Sequence, residues 1–171
     1  MTKTVAAAVA LLLCSTLLGG CVFGQDEEKG VGATQDARTR TSEQLLGALD
    51  DLGPDRTVVS KVGQWLLCGA GPVASVKYGA TARLATGGAT PDETLLGLAD
   101  DLVEAGWSVT AEGDEPEVYR DLAKDGATVR LRLVRGDDSM VSAATTSQCV
   151  EVEDEEVETY DFNATEDLTP R

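Results

Sequence analysis

The sequence predicts an α+β fold, with two amphipathic helices packed on one face of a mainly antiparallel sheet of about five to six strands, closed by one disulfide. Three observations point there. Two Leu-rich stretches, Thr41 to Leu52 and Thr90 to Val103, repeat their apolar residues at helical spacing behind capping residues. From Trp107 to Val150, short β-branched runs are separated by Gly- and Asp-rich turns, the pattern of a meander. Two cysteines, Cys68 and Cys149, remain in the body once those near the N-terminus are set aside.

In chain order, the first helix is expected to start at Thr41, which can cap, with Gln44 as its capping-box partner. Leu45, Leu46, Leu49 and Leu52 then share a face opposite Asp50 and Asp51, and Gly53-Pro54 stops the helix. Val58 to Leu67 opens with β-branched residues and reads as a strand, weakened at Gly63. Gly69 to Pro72 is a turn, and Val73 to Leu84 alternates, with Val76, Tyr78, Ala80, Ala82 and Leu84 on one parity. The second helix carries Thr90 as cap, Pro91 at its first position and Glu93 as capping-box partner. Leu95, Leu96, Ala99, Leu102 and Val103 form its apolar face, and Asp100, Asp101 and Glu104 its wet one. Strands follow at Trp107–Ala111, Val118–Ala123, Thr128–Val134 and Met140–Val150. Two short echoes, Leu45–Leu52 with Leu95–Leu102 and Gly79–Leu84 with Gly126–Leu131, fit a duplicated helix-plus-hairpin unit.

The ends differ in character from this body. Lys3 precedes an apolar stretch from Val5 to Leu18, shorter than the roughly 20 residues a spanning helix needs. Leu17-Leu18-Gly19-Gly20-Cys21 closes it and resembles the lipobox of bacterial lipoproteins, in which a diacylglyceryl group is attached to the Cys thiol before cleavage. The expected organisation is a signal peptide over 1–20, a lipidated Cys21 with a flexible tether over 21–40, one domain over 41–150, and an acidic tail over 151–171. Like-charge repulsion along Glu153-Asp154-Glu155-Glu156 favours disorder in that tail, although Val157, Tyr160 and Phe162 offer it a way to dock. Cys14 leaves with the signal and Cys21 is modified, so Cys68 and Cys149 form an even pair. In an oxidising compartment they make a disulfide staple across the sheet, the alternative being two buried free thiols.

Composition excludes more chemistry than it suggests. The chain of 171 residues has a net charge of −16 and no histidine, which removes the commonest general base and metal ligand. So acidic a surface repels nucleic acid and anionic lipid and favours cations or a basic partner. No Ser-x-x-Lys spacing supports a Ser-Lys dyad. Aromatic residues are 4% of the chain, too few to line a glycosidase cleft around paired carboxylates. Glu151 to Glu158 lacks the glycine-punctuated loop of a calcium site. Arg135-Gly136-Asp137 reads as a hairpin turn before it reads as an adhesion tripeptide, and Asn163-Ala164-Thr165 as a chance match to a glycosylation acceptor. No catalytic residue, metal ligand or cofactor site is predicted.

Lipobox, tether, Trp65-x-x-Cys68, the Gly106-Trp107 strand after a Leu-rich helix, and Cys149 together resemble a small actinobacterial lipoprotein of a largely uncharacterised group. That resemblance implies an address and a compact α+β domain, with no activity attached. The expectation is a non-enzymatic envelope lipoprotein, lipid-anchored through Cys21 at the outer face of the cytoplasmic membrane and binding a protein or envelope component. The alternative is a lipoprotein that carries a small ligand or cation to a membrane transporter.

Overall fold

The structure, a computed structural model, describes residues 30–69 and 73–169. The expected signal peptide over 1–20, Cys14, Cys21 and most of the Gly69–Pro72 turn lie outside the described residues. The elements are α1 (Val31–Asp51), β1 (Val58–Leu67), β2 (Ser75–Ala85), α2 (Pro91–Glu104), β3 (Ser108–Gly113), β4 (Tyr119–Lys124), β5 (Ala127–Leu133), β6 (Met140–Thr146), β7 (Val150–Glu151), α3 (Asp154–Val157) and β8 (Glu166–Asp167). The α+β class and the antiparallel sheet are as expected, but the sheet has eight strands rather than five to six. Its order is β3-β4-β5-β6-β2-β1-β8, with β7 pairing the end of β2. Both surplus strands are two residues long. One arises because the expected strand Met140–Val150 breaks at Ser147, whose Oγ accepts from the Tyr78 amide. The other comes from the tail.

One core holds the domain together. Leu45, Ala48 and Leu49 of α1, Leu52 at its C-cap, and Leu95, Leu98, Ala99 and Leu102 of α2 pack on the same face of the sheet. Their sheet partners include the even-numbered residues of β2 from Tyr78 to Leu84, the parity its alternation predicts, with Leu122, Leu131 and Val141 from the following strands. In α2 the apolar stripe runs through Leu98, while Leu96 and Val103 stay exposed. The cap of α2 is as predicted: Thr90 and Glu93 form the capping box and Pro91 opens the helix. Lys124-Asp125-Gly126 is a tight hairpin, and the positive φ of Asp125 (51°) and Gly126 (84°) explains why this dipeptide stands there.

Both ends of the domain differ from expectation. α1 begins at Val31, not at Thr41, so residues 31–40 of the expected tether are helical. Ala33, Thr34, Ala37 and Thr41 recur every three to four residues and are buried, so Thr41 lies within the helix and caps nothing. These residues are small and unlike a Leu stripe, yet they let the helix lie close to its neighbours. The tail packs back on the body, with β8 paired to β1. Tyr160 meets Trp65 edge-on with ring centroids 4.9 Å apart, Phe162 flanks it, and Val152 is buried. Aromatic burial outweighs the repulsion among the glutamates, which point outward on α3 and its flanks. The two internal echoes do not occupy equivalent places. Gly79–Leu84 lies in the second strand after α1, whereas Gly126–Leu131 starts in the turn before the third strand after α2. Leu- and Asp-rich amphipathic helices look alike without common descent.

Candidate functional site

With α1 and α2 on one side, the described residues leave the opposite face of the sheet uncovered, and strand register fixes what it presents. Across β1, β2, β6, β5 and β4, one row reads Ser60, Arg83, Ser142, Arg132, Tyr119. The next row reads Val62, Thr81, Ala144, Arg130, Asp121. Beyond them, Gln64, Gly79 and Thr146 make a third row, and Leu66 pairs with Lys77 in a fourth. The centre of this face, along β6, is thus a floor of small residues, Ser142, Ala144 and Thr146. Arg83 stands on one side, and Arg130 and Arg132 on the other.

In a chain with 30 acidic and 14 basic residues, the basic character of this face is unexpected. Arg83, Arg130 and Arg132 are exposed and Lys77 half-exposed. Arg130 is engaged: its guanidinium pairs with Asp121 and lies 5.4 Å from the centre of the Tyr119 ring. The Asp121 hydrogen bond raises the Arg130 pKa further above its ordinary value, against the opposing effect of burial. Lys77, Arg83 and Arg132 form no ion pair among the described residues, although Asp137 in the β5–β6 turn acts on Arg83 through space. Asp137 itself is held below the usual carboxylate range by hydrogen bonds from the Ser139 hydroxyl and amide. The helix side is the reverse, with Asp36, Glu43, Asp50, Asp100 and Glu104 facing solvent.

Elsewhere the polar side chains fasten elements together. The buried Tyr78 hydroxyl donates to Glu166 on β8, which also takes the Arg38 guanidinium of α1. Burial and the Glu166 bond push the Tyr78 pKa up to about 12. Burial alone would raise Glu166, but the Arg38 and Tyr78 hydrogen bonds outweigh it and leave its pKa lowered. At the other end of α1, Asp51 accepts from Trp107 Nε1 and from Lys124 Nζ, both at 2.8 Å, and these bonds keep it ionised to lower pH than usual. A recess of about 510 Å³ beside this pair is lined by residues such as Gln44, Asp50 and Lys124 and lies open to solvent.

Cys68 and Cys149 form the predicted disulfide, with α-carbons 6.1 Å apart, tying the end of β1 to the link between β6 and β7. Cys21, the predicted lipidation site, lies outside the described residues. Among the described residues no group of three or more acidic or cysteine side chains gathers as a metal site, and the glutamates of 151–158 spread along a turn and a short helix. Arg135 pairs with Glu117 and Asp137 with Ser139, so the adhesion-like tripeptide is a working turn. Sequence reasoning missed the basic face, although a signal was present. Arg130 and Arg132 alternate with the buried Val129 and Leu131, and Arg83 lies on the odd parity of β2. Only the placement of β6 between β2 and β5 brings those residues together.

No family model and no curated protein matches the chain. Among solved structures it is similar to a DUF4853 family protein from the actinomycete Actinomyces odontolyticus, at 11% identity over 79% of this chain and 78% of that one, with a TM-score of 0.47.

Proposed function

We propose that the protein is a non-enzymatic envelope lipoprotein. In this reading a diacylglyceryl group on Cys21 holds it at the outer face of the cytoplasmic membrane, and it binds a protein or envelope component through the uncovered face of its sheet. The observation that supports this most is the division of the domain into a helix-covered face and an open face whose exposed arginines have small neighbours. Evenly solvated sheet faces need no such concentration of one charge in a chain this acidic. Two acyl chains would suffice for stable anchoring. Because α1 begins at Val31, residues 22–30 reach at most about 33 Å when fully extended, so an anchored domain stays within its own diameter of the bilayer.

Crosslinking and co-purification from native membranes test the reading, with the wild-type chain, Cys21→Ser and Arg83→Ala/Arg132→Ala compared. The expected result is that Cys21→Ser is unprocessed or mislocalised, and that the arginine variant keeps its location but loses its envelope partner. Processing and membrane attachment of Cys21→Ser as in the wild type would refute the address. Retention of the same partner by the arginine variant would refute the surface. Removing residues 151–171 is not a suitable control, because Glu166 and Tyr160 bind α1. A thermal shift with a single metal ion or metabolite would favour the ligand-carrier alternative.

A further inference from the structure

We infer that the partner presents a short extended acidic polypeptide segment, about six residues long, that lies along β6 between Arg83 and Arg132 with Lys77 toward one end. This rests on reading the open sheet face as the binding surface and specifies what that surface recognises.

Spacing supports a single chain in the trough. Arg83 and Arg132 flank Ser142 in the same row, and two strand spacings put their α-carbons about 10 Å apart. That separation admits one extended backbone between two guanidinium groups. From the Ser142 row to the Lys77 row is three two-residue steps, about 20 Å, the length of six extended residues. The segment cannot join the sheet as a strand, because β6 is already paired with β2 on one side and β5 on the other. Recognition must come from side chains. Arginine forks take carboxylates in a bidentate manner, and the small floor lets a backbone lie close enough for both forks to reach.

The surroundings of the trough decide between a peptide and a broader anion. Asp137 and Asp138 stand in the turn at one end of β6, Glu151 lies past the other end, and Asp121 and Asp167 flank the face on its two sides. An anionic bilayer pressed against this face would meet those acids together with the arginines. A long, evenly charged polyanion running along β6 would meet the acids at both ends. A local cluster of Asp and Glu within an otherwise neutral segment meets Arg83, Arg132 and Lys77, with only Asp137 beside Arg83 opposing it at one end.

The experiment uses the full chain in neutral detergent and a fluorescent hexaglutamate peptide. Anisotropy should report saturable binding that weakens with added salt and by about tenfold or more in Arg83→Glu/Arg132→Glu. Both positions are exposed, and an unchanged unfolding midpoint confirms that the variant is folded. Zero-length carbodiimide coupling of the peptide carboxylates, read by mass spectrometry, should label Lys77 in preference to Lys29, Lys61 and Lys124. Equal labelling of the four lysines, or equal binding by the charge-reversed variant, overturns the proposal. So does binding of pure phosphatidylglycerol vesicles or inorganic polyphosphate through Arg83 and Arg132 without peptide binding. Lys77 coupling to a second copy of this chain in the absence of peptide overturns it too, because the occupant is then the protein itself. Peptide binding that fails while an envelope partner is still lost from Arg83→Ala/Arg132→Ala refutes the acidic segment and leaves the surface standing.

Discussion

Tyr78→Phe tests how the two ends of the chain are joined. The Tyr78 side chain is fully buried, and its hydroxyl donates to Glu166, which in turn holds Arg38 on α1. A hydrogen bond to a charged acceptor contributes about 1.5–3 kcal/mol, and Glu166 keeps Arg38 after the change, so the variant should lose about 2 kcal/mol. The hydroxyl also gives a second readout. Its pKa is raised to about 12 from an ordinary 10, so the folded state holds that proton more tightly than the unfolded state. The stability this represents is fully present below pH 10 and is lost as pH rises to 12. Two units correspond to about 2–3 kcal/mol. Urea unfolding followed by tryptophan fluorescence, with Trp65 5.1 Å from the Tyr78 ring, measures both. Wild type and variant should differ by about 2 kcal/mol at pH 7 and converge between pH 10 and 12. Subtracting the two curves cancels the other tyrosines and the lysines. A gap that stays constant from pH 9 to 12, or no gap at pH 7, would refute the network as the link between tail and helix.

Three further perturbations probe the same frame. Glu166→Gln should flatten the acid limb of the stability curve. The carboxyl's lowered pKa makes its contribution present above about pH 4.5 and lost as pH falls through the folded value, so unfolding against pH for both proteins checks it. Gly63→Ala should destabilise by about 1–3 kcal/mol, because an added Cβ would run into the hydroxyl and ring carbon of Tyr78. Thermal unfolding decides, and an unchanged midpoint would mean that Tyr78 has another place to go. Replacing both Cys68 and Cys149 with Ala opens a link spanning 81 residues of sequence, worth about 4–5 kcal/mol on the loop-entropy model. The melting temperature should fall by about 10 °C or more. A shift within two degrees would show that the tail holds this end of the sheet without the bridge.

The elements legible in the sequence were those with a local cause. Thr90, Pro91 and Glu93 announce α2 in adjacent residues, Asp125-Gly126 fixes its hairpin through two positive φ angles, and the alternation of β2 names its buried parity. The first half of α1 was not legible, because Ala33, Thr34 and Ala37 make an interface by being small, and smallness looks like a linker when nothing larger is nearby. The tail was legible only in part, because Tyr160 and Phe162 offered a way to dock while their receivers did not show. Charge density along 151–158 is visible in one dimension, whereas the Trp65 and Arg38 that receive Tyr160 and Glu166 lie more than ninety residues earlier. Gly63 looked like a weak point in a strand and proves to be the space into which Tyr78 fits. The basic face is the extreme case, since Arg83 and Arg132 become neighbours only through the order of strands.

That face also limits what net charge can say about partners. A charge of −16 governs approach from a distance, but at physiological salt the field of each group is screened beyond about 8 Å. A molecule already held beside the domain responds only to the groups within that range. Over β6 those are Arg83 with Asp137 beside it, Arg132, Lys77 toward one end and Arg130 with its Asp121, while the exposed acids of α1 and α2 lie behind the sheet and its core. The proposal is therefore compatible with a chain that repels a diffuse anionic surface yet binds a narrow anionic segment. In the proposed binding mode, rim acids at both ends of β6 set the length of what is accepted. Adding carboxylates to a bound segment beyond the Lys77 and Ser142 rows should weaken its binding, whereas adding them between those rows should strengthen it.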